Sequence, residues 1–257
     1  MSTALITGAS SGIGAMYARR LAARGHDLVL VARRTDRLNT LAAELRDANG
    51  VSGEVVTADL TDGAQIDRVA TRFRSGAPVD LFVNNAGAPL SGAFATADPA
   101  AMYRVLRLNV LAPTMLASAA IVPMVERGHG SVVNIASVAA LIPDYFPGIY
   151  AATKSYVLTL SQGLAAEVGP KGVYVQAVVP AATRTEIWGH TGTDVNTLEG
   201  VMEVEDLVDA ALVGFDRREP VTIPAVPDAA AWDGFEQARA VLASGFGNSK
   251  PAARCLA

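Results

Sequence analysis

Thr3-Ala-Leu-Ile-Thr7-Gly8-Ala-Ser10-Ser11-Gly12-Ile13-Gly14 is followed by Ala15-Met-Tyr-Ala-Arg-Arg-Leu-Ala-Ala23. The apolar run, glycine-rich turn and helical stretch read as strand, turn, helix. Glycine lets the backbone turn tightly and approach a pyrophosphate, and a helix N-terminus offers unpaired N–H groups at a positive dipole end. An ordinary strand-to-helix turn does not need three glycines and two serines at the head of a βαβ pattern. A Walker phosphate loop is excluded, because no Gly-Lys-Ser/Thr ending follows.

Outward from this turn, apolar runs alternate with amphipathic helical stretches, as in a parallel sheet covered on both faces. Strands are expected near Ala4–Thr7, Leu28–Ala32, Glu54–Thr57, Leu81–Asn84, Ser131–Ile135, Tyr174–Val178 and Val221–Ile223. No composition break, repeat or low-complexity linker divides the chain. The pattern predicts one α/β domain over residues 1–257, a doubly wound, Rossmann-like parallel sheet. Such sheets bind ligands beyond the carboxyl ends of their strands. Gly8, Asp59, Asn85, Ser137 and Pro180 each fall just past a predicted strand end, so they are expected along one edge.

Tyr150-Ala-Ala-Thr-Lys154 has i,i+4 spacing, which places a phenol and an amine on one helix face. A free phenol, with a pKa of about 10, is a poor acid or base at neutral pH, and an adjacent cation favours the phenolate. Lys154 is therefore expected to lower the pKa of Tyr150. Ser137 follows the buried run Val132–Ala136 and offers a hydroxyl at a strand end. One carbonyl oxygen could meet all three groups, the arrangement of an oxidoreductase site.

Composition bounds the alternatives. The chain has 257 residues, enough for a sizeable core, and with 51% hydrophobic and 18% charged residues it reads as globular. A net charge of −4, with no basic cluster longer than Arg33-Arg34 or Arg217-Arg218, argues against nucleic-acid binding. The lone Cys255 cannot form an internal disulfide. Together with a strand starting almost at Met1, which leaves no room for a leader, it points to the cytoplasm. The apolar stretch Val110–Val125 is too short to span a bilayer and holds two prolines, so no membrane partner is expected. His26, His129 and His190 lack metal-site spacing.

The chain resembles the short-chain dehydrogenase/reductase family through Gly8-x-x-x-Gly12-x-Gly14, Asn84-Asn-Ala-Gly87, Asn109, Ser137 and Tyr150-x-x-x-Lys154. The resemblance runs from about Thr3 to Val221. It implies catalytic roles for Asn109, Ser137, Tyr150 and Lys154, with Asn109 holding a water in a proton relay that reaches the lysine. It implies cofactor contacts at Gly8, Ser10, Ser11, Gly12, Ile13 and Gly14, at Asp59 and Leu60 beside the adenine, and at Asn85, Ala86 and Gly87 beside the ribose. Tyr150 and Lys154 would also meet the nicotinamide ribose. Pro180, Thr183 and Thr185 would lie at the nicotinamide end. Family members usually carry Pro-Gly after the sixth strand, and Ala181 departs from that pattern.

Cofactor choice turns on Val31-Ala32-Arg33-Arg34. Ala32 stands where NAD-preferring members carry an acid, and guanidinium groups suit the extra phosphate of NADP. NADP(H) is expected over NAD(H). The implied activity is interconversion of a ketone or aldehyde with an alcohol by hydride transfer, with Tyr150 as general acid and base. The alternatives are an NAD-linked alcohol or hydroxy-acid dehydrogenase and a non-catalytic dinucleotide-binding sensor.

The substrate side is expected to include Ser137, Tyr145 and Trp188, with a lid over about 184–203. The tail, about 225–257, reads as a short amphipathic helix begun by Asp228 that would cover the pocket or dock on a neighbouring subunit. Apolar helices around Ala112–Val125 and Tyr156–Leu164 resemble the family's subunit contacts, which implies a homotetramer or homodimer.

Overall fold

The computed structural model describes residues 2–256 except Ser91, Ala93 and Thr191, with the backbone alone at His190. Its sheet has seven parallel strands, β1 (Thr3–Thr7), β2 (Asp27–Ala32), β3 (Gly53–Thr57), β4 (Leu81–Asn84), β5 (Gly130–Ile135), β6 (Val173–Val178) and β7 (Val221–Thr222). They lie in the order β3-β2-β1-β4-β5-β6-β7. The order reverses between β1 and β4, where a ligand crevice is expected at the carboxyl edge. Every strand appears within one residue of its predicted bounds.

Alternation of side chains along each strand builds two cores. Ala4, Ile6, Leu28, Leu30, Leu81 and Val83 face α1 (Gly12–Ala23), α2 (Thr35–Asn49) and α7 (Val204–Asp216). Leu5, Val29, Val31 and Phe82 face α3 (Gly63–Arg72), α5 (Ala112–Arg127) and the end of α6 (Gly148–Val168). Strands buried on both faces explain why the runs read as continuously apolar. Each fully buried Leu or Phe contributes about 1.5–3 kcal/mol.

Helix α4 (Pro99–Leu106) starts at Asp98, whose carboxylate accepts from Ala100 N at 3.0 Å and Ala101 N at 3.2 Å. It runs through a π-helical turn, Arg107–Leu111, directly into α5. The resulting run Pro99–Arg127 has 29 residues, and by length and composition alone it could cross a membrane. This corrects the expectation drawn from Val110–Val125. Of its most apolar window, 44% is buried, and α5 packs on α3 and β5, as a core helix does.

The chain divides into two compact units, Met1–Pro224 and Ala225–Ala257, the second with the bounds expected of the C-terminal tail. The first unit holds the sheet and α1–α7. The second holds α8 (Ala230–Ser244), preceded by Asp228, whose Oδ1 accepts from Ala230 N at 2.9 Å. The rings of Trp232 and Phe235 stack at 5.3 Å on it.

Candidate active site

The glycine turn joins β1 to α1 at the sheet's carboxyl edge. Gly8 and Gly12 have φ of +69° and +51°, and a Cβ on Gly14 would stand 2.4 Å from the Gly8 carbonyl oxygen. No side chain fits on this floor. Ser11 caps α1 with extended backbone but makes no side-chain capping bond. Its hydroxyl accepts instead from Arg34 Nη2 at 2.6 Å, while Arg34 Nε donates to Ser10 Oγ at 3.1 Å. A side-chain-free floor, an uncapped helix N-terminus and a guanidinium at its lip fit the phosphates of a dinucleotide.

Asn85 secures this turn from β4. Its Nδ2 donates to Thr7 O at 2.8 Å, and the Thr7 hydroxyl accepts from Asn85 N at 3.0 Å and Ala86 N at 3.1 Å. Thr7, fully buried, is a positioning residue that the sequence motifs do not single out. A hydroxyl ending an otherwise apolar strand is the signal that could have found it.

At the end of β3, Asp59 accepts from Thr61 N and Thr61 Oγ1 at 2.9 and 2.8 Å. Burial pushes its carboxyl upward, but these bonds and the nearby Arg33 outweigh burial and hold it below the usual range. Leu60 beside it is buried. On the other side of the crevice, Thr185 packs its methyl and Cβ 3.2–3.3 Å from the Cβ position of Gly12. Pro180 O accepts from Val138 N at 2.9 Å, and Thr183 Oγ1 donates to Ala181 O at 3.0 Å. Among the described residues Arg218 alone of the non-glycines has positive φ, so Ala181 needs no glycine-like backbone.

Ser137 lies two residues past β5, where it caps a 3₁₀ turn and accepts from Ala139 N at 3.2 Å, fixing its hydroxyl in the wall. Tyr150 lies in the first turn of α6, with its phenol against Ser137. Lys154 follows one turn later, buried, its Nζ donating to Ile135 O at 2.9 Å and lying 5.9 Å from the Tyr150 ring centre. Burial raises the Tyr150 pKa, which the Ser137 hydrogen bond partly offsets, and lowers that of Lys154 to about 8. The direction is opposite to the lowering expected from Lys154, and its largest cause is burial of the phenol.

Asn109 occupies the π-helical turn and is 2% exposed. Its Oδ1 accepts from Ala88 N at 2.9 Å, and its Nδ2 donates to Ala88 O at 2.9 Å and Thr153 Oγ1 at 3.1 Å. Thr153 in turn donates to Tyr150 O at 2.8 Å. These bonds fix the amide between the Ala88 backbone and Thr153 of α6. A Cβ on Gly87 would stand 3.4 Å from Asn109 Oδ1 and 3.5 Å from Lys154 Nζ, which brings the Asn84–Gly87 segment, Asn109 and Lys154 to one point. Of the expected substrate residues, Tyr145 is 81% exposed, whereas Trp188 is half-buried and donates Nε1 to Thr183 O at 2.7 Å. Thr191 of the expected lid lies outside the described residues.

The model of the short chain dehydrogenase family matches residues 2–196. A short-chain dehydrogenase from Sphingobium yanoikuyae, solved in complex with NADPH, is 54% identical, with a TM-score of 0.97 and 99% of each chain covered. The bulky-bulky ketone specific alcohol dehydrogenase from Comamonas testosteroni is 48% identical, with a TM-score of 0.93, covering 100% of this chain and 99% of that one. A very-long-chain 3-oxoacyl-CoA reductase from Anas platyrhynchos is 31% identical over 72% of this chain, and the chain spans 60% of that relative's length. An inactive hydroxysteroid dehydrogenase-like protein 1 from Homo sapiens is 28% identical over 72% of this chain and 56% of its own. The chain belongs to the short-chain dehydrogenases, a family of NAD(P)-dependent oxidoreductases acting on CH–OH groups.

Proposed function

We propose that the protein is an NADPH-dependent reductase of apolar ketones, with Tyr150 as the proton donor. The observation that carries this reading is the convergence of Ser137, Tyr150 and Lys154 beside a glycine turn whose serines are bonded by Arg34. The 48% identity to a bulky-bulky ketone specific enzyme, over 100% of this chain, supports a ketone with two large arms.

Gly8, Gly12, Ser10, Ser11 and Arg34 would hold the cofactor's phosphates, and Tyr150, Lys154, Pro180, Thr183 and Thr185 its nicotinamide end. When bound, the dihydronicotinamide supplies the hydride. Ser137 would hold the substrate oxygen and stabilise its developing charge. Tyr150, kept protonated by burial, would deliver the proton to that oxygen. Lys154, at a pKa of about 8, stands near neutrality and is suited to pass a proton toward the phenol. Asn109 and Thr153 would hold the π-helical turn and α6 in register behind it.

The reading extends to a cytoplasmic location and to a homotetramer or homodimer, the assembly being supported by exposed Leu111, Met115 and Val122 on the Pro99–Arg127 run and by Tyr156 on α6. Light scattering giving a monomer at micromolar concentration would remove the assembly without touching the chemistry. The test of the chemistry is NADPH and NADH oxidation against dialkyl, aryl alkyl and diaryl ketones. NADPH consumption with the bulkier ketones is expected, and a preference for NADH would favour the dehydrogenase alternative.

A further inference from the structure

We propose that Glu186 is a specificity-determining residue: its carboxylate occupies the guanidinium pocket that a 2′-phosphate would take, and it ties that pocket to the segment carrying Trp188. The inference rests on the NADPH reading above and adds an internal competitor to it. Arg34 spends Nε and Nη2 on Ser10 and Ser11 and gives Nη1 to Glu186 Oε2 at 2.9 Å. Arg37, in the first turn of α2, places Nη1 at 2.6 and 2.9 Å from the two Glu186 oxygens. A carboxylate 152 residues along the chain from Arg34 is therefore clasped by two guanidinium groups at the lip of the phosphate turn.

Carboxylate and phosphate compete for the same forked donors, and two anions cannot share one fork without repulsion. The hydrogen bonds from Arg34 and then Arg37 hold the Glu186 carboxyl below its ordinary range, so it is charged at neutral pH. All three side chains are about half exposed, so each pair is weak enough for a dianionic phosphate to displace. Glu186 also opens the 3₁₀ segment Glu186–His190, in which Trp188 is bonded to Thr183 O. Displacing the carboxylate would free the start of that segment, so arrival of the phosphate would be felt at Trp188. NADH carries no phosphate there and would leave the clasp closed.

The test uses the full chain with Trp232→Phe, so that Trp188 is the remaining indole. Dissociation constants of NADPH and NADH are measured for this chain and for Glu186→Gln, Glu186→Asp and Arg34→Ala. Trp188 emission is followed with adenosine 2′-phosphate and with adenosine 5′-phosphate. Glu186→Gln is expected to tighten NADPH about fivefold to tenfold, about 1–1.4 kcal/mol, and to leave NADH within about twofold, while Glu186→Asp keeps the parent discrimination. The 2′-phosphate, not the 5′-phosphate, is expected to change Trp188 emission. Unchanged or weaker NADPH binding in Glu186→Gln, with Arg34→Ala still weakening NADPH selectively, would overturn the role of Glu186 alone. Identical emission with the two nucleotides would overturn the link to the Trp188 segment. If Arg34→Ala leaves NADPH binding unchanged, Arg34 does not hold the phosphate and this inference falls, whereas the NADPH reading itself falls only if NADPH binds no tighter than NADH.

Discussion

The two ends of the crevice are built on opposite electrostatic principles. At the Tyr150 end, Lys154 and Asn109 are buried, their hydrogen bonds are to protein, and burial moves pKa values. At the Arg34 end, charges stand half in water and are matched by one another. A dry site gives each dipole high leverage on a reacting oxygen, whereas a wet one selects between ligands by modest differences in charge. Substitutions at the first end should therefore change rate by orders of magnitude, and those at the second should change which cofactor is chosen.

The largest effect is expected at Tyr150. Tyr150→Phe should lower kcat about 10³-fold, the scale of general acid catalysis, while NADPH binding, followed by nicotinamide fluorescence, stays within a few-fold of wild type.

Next is Lys154, where activity and stability should part. Its pKa falls from about 10.4 in the unfolded chain to about 8 in the fold, so folding carries a penalty on the order of 3 kcal/mol. The penalty is full below pH 8, where both states are protonated, and it fades as pH rises from about 8 to about 10.4, where the unfolded state binds more protons. Lys154→Met should raise the melting temperature at pH 7, gain less at pH 10, and lose most turnover. A melting temperature that falls at pH 7 would contradict the desolvated ammonium.

Arg34→Ala sharpens the other side of the comparison. Losing a charge-assisted donor to phosphate should raise the KM for NADPH about 10–30-fold, roughly 1.4–2 kcal/mol, and leave NADH nearly unchanged. Equal losses for both cofactors would mean that Arg34 serves only to hold Ser10 and Ser11. The smallest effect is expected at Thr153. Thr153→Val removes the acceptor for Asn109 Nδ2 and the donor to Tyr150 O, and should cost about 1–2 kcal/mol in chemical unfolding with a several-fold loss of kcat.

What the sequence discloses about these ends differs for the same physical reason. The glycine turn, the strands and the Tyr150–Lys154 pair are local patterns, in which spacing alone sets geometry, and the strands end within one residue of expectation. The partners that decide the electrostatics are remote. Nothing near Arg34 signals that Glu186 sits on it, and nothing near Asn109 signals a π-helical turn closed onto Ala88 and Thr153. The balance at Tyr150 escapes the sequence for a related cause, because i,i+4 spacing reports proximity to Lys154 but not the burial of both groups. The Ala181 departure is legible as a residue change. That its backbone needs no glycine rests on an angle that only the folded chain has.

The most direct test of the division is the single-turnover rate of ketone reduction at saturating NADPH in wild type, Tyr150→Phe and Arg34→Ala. The account predicts that Arg34→Ala, once filled with cofactor, keeps a rate within a few-fold of wild type while Tyr150→Phe loses about three orders of magnitude. A near wild-type rate in filled Tyr150→Phe would contradict it and return the chemistry to another group in the crevice.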